Sequence, residues 1–91
     1  MERTEKIMQG DVPIVGTNIK RLRKKRHMRN IDVVIRLQLT GMACSTSTLS
    51  KIERGHSNPP VALLMALTDI FQCDYNAFFE QNTEQDHAED T

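Results

Sequence analysis

Tryptophan is absent from this sequence, and one tyrosine with three phenylalanines makes up its whole aromatic content. A core built on rings is therefore excluded, and any core must be aliphatic. Two cysteines, Cys44 and Cys73, are too few for a disulfide framework. With no export signal, each reads as a buried thiol replacing a small apolar residue in a helical pattern. His27, His56 and His87 lie far apart with no near Cys or His partner, so the spacing of a zinc site is missing. No metal or other cofactor is expected. No apolar run approaches the roughly 20 residues of a membrane span, and Met1-Glu2-Arg3 does not open like a signal peptide. The expected location is the cytoplasm, with no membrane partner. Gly10, Gly16, Gly41 and Gly55 make no phosphate loop. No Ser/His/Asp, Cys/His or paired-carboxylate arrangement stands at useful spacing, so an enzyme is not expected.

Basic residues are also missing, but only from one end. Beyond Arg54 there is no lysine or arginine, while Asp69, Asp74, Glu80, Glu84, Asp86, Glu89 and Asp90 give residues 56–91 a charge of −7. Residues 17–55 are the reverse. Lys20, Arg21, Arg23, Lys24, Lys25, Arg26, Arg29, Arg36, Lys51 and Arg54 stand against Asp32 and Glu53, for +8. Residues 1–16 carry Arg3 and Lys6 against Glu2, Glu5 and Asp11, for −1. The net charge of zero thus hides a strongly polarised chain. A basic half is the electrostatic footprint of a polyanion binder, although a merely solvated basic helix leaves the same trace.

At 91 residues and 38% hydrophobic, the chain supports one compact core and not two. Residues 1–15, with Gly10 and Pro13, read as a flexible N-terminal arm. Residues 81–91 are polar and acidic and read as a disordered tail. That leaves a folded domain at 16–80. A first helix is expected after Thr17, as N-cap, to about His27, with Ile19, Leu22, Arg23 and Arg26 on one face. Arg23 is the odd member, because a cation among apolar neighbours needs a carboxylate. A second helix covers Asn30 to Leu39, its apolar surface supplied by Ile31, Val34, Ile35 and Leu37, with Val33 close by. Gly41 is a candidate C-cap. A third starts at the N-cap Ser45 and stops before Gly55, with Leu49 and Ile52 inward. Thr46, Ser47, Ser50, Lys51 and Arg54 then share its outer face. A fourth is announced by Asn58-Pro59-Pro60, with proline at its first helical position. It runs through Phe71 and is apolar nearly all round. Asp74 caps a short fifth helix carrying Tyr75, Phe78 and Phe79. Adjacent phenylalanines cannot point the same way, so one is core and the other is a candidate for a dimer interface.

A short polar-faced helix, preceded by a helix and a turn and set beside a basic helix, is the layout of a helix-turn-helix DNA binder. Thr, Ser, Lys and Arg can bond base edges or phosphates from such a helix. The strings Ile19-Lys20-Arg21-Leu22-Arg23, Ser45-Thr46-Ser47-Thr48-Leu49-Ser50-Lys51-Ile52-Glu53-Arg54-Gly55 and Asn58-Pro59 resemble the lambda-repressor-like (Xre/Cro-type) helix-turn-helix family. The likeness spans about residues 16–80, and the third-helix string is its specific part.

The resemblance implies an all-α, five-helix fold that binds double-stranded operator DNA as a homodimer. It implies an ion pair between Arg23 and Glu53. It places Thr46, Ser47 and Lys51 on base-contacting positions, with Ser50 beside them on the same face. It places Asn30 where the family touches phosphate, and Arg29 and Arg54 are the other phosphate candidates. The chain departs from the family where Arg29 replaces the usual Ser or Thr cap. It departs again at Gln38–Cys44, where the usual turn is about five residues shorter, so a longer second helix and loop are expected. The expected function is that of a sequence-specific transcriptional regulator, acting as a repressor on a palindromic operator. The alternative is an antitoxin or adaptor that uses the same fold to bind a protein partner.

Overall fold

The computed structural model describes residues 14–81. The expected arm up to Pro13 and the acidic tail from residue 82 lie outside the described residues. Four α-helices follow in order: α1 (Ile14–Lys25), α2 (Asn30–Leu39), α3 (Thr46–Glu53) and α4 (Val61–Phe71). A short 3-10 helix, Tyr75–Phe79, occupies the place of the fifth helix.

α2 and α3 carry clear stop signals. Gly41 and Gly55 take φ of 90° and 83°, the left-handed region that costs glycine nothing. In each case two backbone bonds close the helix end. Met42 N–H donates to Leu37 O at 3.1 Å and Gly41 N–H to Gln38 O at 3.0 Å. After α3, His56 N–H donates to Lys51 O at 2.8 Å and Gly55 N–H to Ile52 O at 3.0 Å. At the start of α3, Ser45 Oγ accepts from Thr48 N–H at 3.1 Å.

Elsewhere the expected boundaries shift. α1 begins at Ile14, so Thr17 lies inside the helix rather than capping it, and Val15 is buried. The helix ends at Lys25, with His27 in the left-handed region at φ 57°. Both prolines precede α4, and Pro60 is its N-cap rather than its first helical residue. Asp74 sits at the N-cap of the 3-10 helix, but its side chain makes no capping bond.

The core is aliphatic, with Phe71 and Phe78 as its buried rings. α1 contributes Val15, Ile19 and Leu22, α3 contributes Leu49 and Ile52, and α4 contributes Leu63, Leu64, Leu67, Ile70 and Phe71. α4 is not buried all round, since Met65 is exposed. α2 differs most from expectation. Val33, Val34 and Leu37 are buried, whereas Ile31 and Ile35 face outward. A helix apolar on two sides offers two competing faces, and packing against α3 and α4 selects one. Cys44 and Cys73 are half-buried rather than buried, and both are free thiols packed against the core. Burial raises the pKa of each thiol.

Candidate nucleic-acid interface

α3 is held by its far end. The Arg23 guanidinium reaches from α1 and donates from Nε to Glu53 Oε2 at 2.9 Å and from Nη2 to Glu53 Oε1 at 3.0 Å. Its Nη1 donates to Met28 O at 3.1 Å, so three donors are engaged at once. Both side chains are largely shielded from water. The cation on the apolar face of α1 is thereby satisfied, and the acid at the end of α3 is turned inward.

Gly16 sets the distance between the same two helices. A Cβ there would press on the carbonyl oxygen of Ile52 and lie 2.9 Å from that of Glu53. Only a glycine lets α1 approach the end of α3 this closely.

The other end of α3 is tied to α2. Asn30 Nδ2 donates to Ser50 Oγ at 3.0 Å and, more weakly, to Thr46 O at 3.4 Å. Three of the expected site residues are thus gathered at one seam, with Asn30 and Ser50 both half-buried. Thr46, Ser47, Lys51 and Arg54 are exposed. At about 100° per residue, Ser47, Lys51 and Arg54 lie within roughly 60° of one another, opposite Leu49 and Ile52. The outward face of α3 is polar and basic, because its one acid belongs to Arg23.

Arg29 is paired locally. As the N-cap of α2 it donates from Nε and Nη2 to the two oxygens of Asp32 at 3.0 and 2.9 Å. Its backbone N–H donates to Asp32 Oδ2 at 2.7 Å. These bonds, the side-chain ones first, lower the Asp32 pKa to about 2. The carboxylate also faces the positive end of the helix dipole, which offsets the cation placed there. The connection from Thr40 to Ser45 is anchored rather than loose. Thr40 Oγ1 donates to Leu37 O at 2.6 Å, and Met42 and Cys44 pack against the core. α2 runs to Leu39, the expected end, and so takes in Gln38 and Leu39 at the start of the long Gln38–Cys44 segment.

Two supports were not foreseen. Asn18 is buried on α1 and donates from Nδ2 to Phe78 O and to Glu80 O, both at 2.9 Å. Its Oδ1 accepts from Arg21 Nε at 3.2 Å. That side chain fixes the 3-10 helix against α1. Gly16 is the other. The i, i+3 spacing of Arg29 and Asp32 was a readable signal, whereas the partners of Asn18 are backbone carbonyls about sixty residues away.

No helix among the described residues is long and apolar enough to cross a membrane. Among the same residues no group of three or more His, Cys, Asp or Glu is placed to hold a metal ion.

Comparison with known proteins agrees with this geometry. A Helix-turn-helix family model matches residues 36–78. Among solved structures, the chain is similar to an HTH_3 family transcriptional regulator from Vibrio cholerae, at 33% identity with a TM-score of 0.59. That match covers 74% of this chain and 35% of the regulator, so the chain spans about a third of the length of the protein it resembles. No curated protein sequence matches. With α2 braced on α3, α3 anchored through Glu53 and the match running to the buried Phe78, the described residues have the helix-turn-helix arrangement to which both comparisons point.

Proposed function

We propose that this chain is a sequence-specific DNA-binding transcriptional regulator, acting as a repressor and binding a palindromic operator as a homodimer. The observation that carries the reading is the face of α3. Ser47, Lys51 and Arg54 project together from a helix whose only acid is drawn inward by Arg23. Such a face suits the major groove, where Lys51 bonds a guanine edge and Thr46 and Ser47 take further base edges. Arg29, Asn30 and Arg54 are assigned to phosphate, with Ser50 holding Asn30 as well as facing the groove. Half-sites would lie about 34 Å apart, one turn of DNA.

The seat of the homodimer is assigned to α4 and the 3-10 helix. There Met65, Tyr75 and Phe79 are exposed together, and the rings of Tyr75 and Phe79 are 5.6 Å apart. Exposed rings of this kind are enriched at interfaces. The same apolar face supports the second reading, an antitoxin or adaptor that binds a protein partner.

Selection from a random duplex library tests the proposal. The expected outcome is an enriched two-fold-symmetric motif that Lys51→Ala binds with relaxed sequence preference. A library that leaves selection unenriched, while the chain forms a stable complex with a different protein, favours the second reading.

A further inference from the structure

α2 shows water a second apolar side. Ile31, Ile35 and Leu39 are 40%, 47% and 79% exposed. Spaced four residues apart, they form one stripe along the helix, turned away from Val33, Val34 and Leu37. Leu39 is the most exposed large hydrophobic residue among those described. Asp32 and Arg36 run along one flank of the stripe at helical spacing. Arg36 is exposed and makes no ion pair among the described residues.

We propose that this stripe is a contact between neighbouring copies of the chain bound to one DNA duplex; the inference rests on the DNA-binding reading above. The pattern is self-complementary. In an antiparallel pair centred on Ile35, Leu39 of each copy covers Ile31 of the other. A two-fold axis brings the charged flank against itself, which sets Arg36 of one copy beside Asp32 of the second copy, twice. The Asp32 carboxylate already accepts from Arg29 through both oxygens and keeps lone pairs for a further guanidinium. It is held ionised, so the pairing survives across the physiological range.

The size of the patch sets where the contact counts. Three partly exposed aliphatic chains make a patch near the low end of the roughly 300–600 Å² found on ordinary monomers. A standard stable interface takes about 800 Å² from each partner. The stripe is too small to hold copies together in free solution. On one duplex the copies face each other at effective concentrations of order millimolar, and a weak contact then shows as cooperativity. The stripe lies on a different element from Met65, Tyr75 and Phe79, so one copy can use both faces.

The test uses the full chain and duplexes bearing one or two copies of a selected motif, with centres spaced by whole helical turns. Wild type is expected to bind the second site on the order of tenfold more tightly than the first. The gain should vanish when the spacing is changed by half a turn. Ile35→Gln/Leu39→Gln should bind a single site like wild type and lose the gain. In a separate arm without DNA, raising wild-type protein to millimolar concentration should move the amide signals of α2, and not those of the double variant. Wild-type binding to one site with no gain at the second, or an equal gain in the double variant, overturns the inference and leaves the DNA-binding reading standing. Failure of wild type to bind any single-site duplex overturns both.

Discussion

Arg23 and Glu53 form a two-bond pair at 2.9 and 3.0 Å that ties the basic first helix to the last turn of α3. The pair makes no contact with solvent-facing chemistry of its own. Its effect is to fix one end of the helix that presents Ser47 and Lys51, and to remove the only carboxylate from that helix's outer side.

Removing one partner from such a shielded pair leaves the other charge uncompensated. Glu53→Ala is expected to destabilise the fold by roughly 3–5 kcal/mol. Arg23→Met combined with Glu53→Leu should recover most of that loss, because no buried charge remains. Urea unfolding of the three proteins checks this. A Glu53→Ala variant within about 0.5 kcal/mol of wild type, as for an ordinary surface substitution, would contradict the anchoring role.

Gly16 offers a test of opposite sign to helix propensity. In an exposed helix, Gly→Ala gains up to about 1 kcal/mol. Here the new Cβ would meet two backbone carbonyls, of Ile52 and Glu53, which cannot rotate away. Gly16→Ala is expected to cost about 1–3 kcal/mol as the helices are forced apart. Thermal unfolding reads the sign directly, and a raised melting temperature would refute the close approach.

These two supports differ in how visible they were. Arg23 was legible, because a cation on the same face as Ile19 and Leu22 demanded a partner and the family resemblance pointed to Glu53. Gly16 was not, since a glycine inside a helix carries no mark of what approaches it. The ends of α2 and α3 were readable from Ser45, Gly41 and Gly55, whose chemistry is local. The start of α1 was missed, although Pro13 directly ahead of it is a recognised opening signal. On α2, Val34 and Leu37 are buried as expected, but Ile31 and Ile35 compete with Val33 for the core, and only packing against α3 and α4 decides between them. Arg29 stands out in the sequence as a departure from the usual cap and as a phosphate candidate, while its partner Asp32 is three residues away.

Asp32 gives a pH signature. Its pKa is lowered to about 2 by Arg29, against about 3.9 for an unperturbed aspartate. A depressed carboxylate contributes stability that is fully present above the unfolded value and lost as pH falls through the folded one. The α2 N-terminus should therefore hold between pH 7 and about 4 and loosen between about 4 and 2. Titration of the Asp32 carboxyl by NMR should show a midpoint near 2, and Arg29→Ala should move it upward. A wild-type midpoint near the ordinary aspartate value would contradict the Arg29–Asp32 geometry.

In the proposed function α3 reads DNA sequence while the surrounding basic residues bind phosphate. The most direct measurement is the affinity of the full chain for a selected duplex and for a scrambled duplex of equal length, across a range of salt. The expected result is a steep fall of both affinities with salt, by about 0.9 log unit per log unit of salt for each phosphate neutralised. A preference for the selected duplex should persist throughout, and Lys51→Ala should shrink it by about 1–3 kcal/mol. Equal affinity for the two duplexes would rule out sequence reading by α3, and binding that ignores salt would rule out the phosphate contacts.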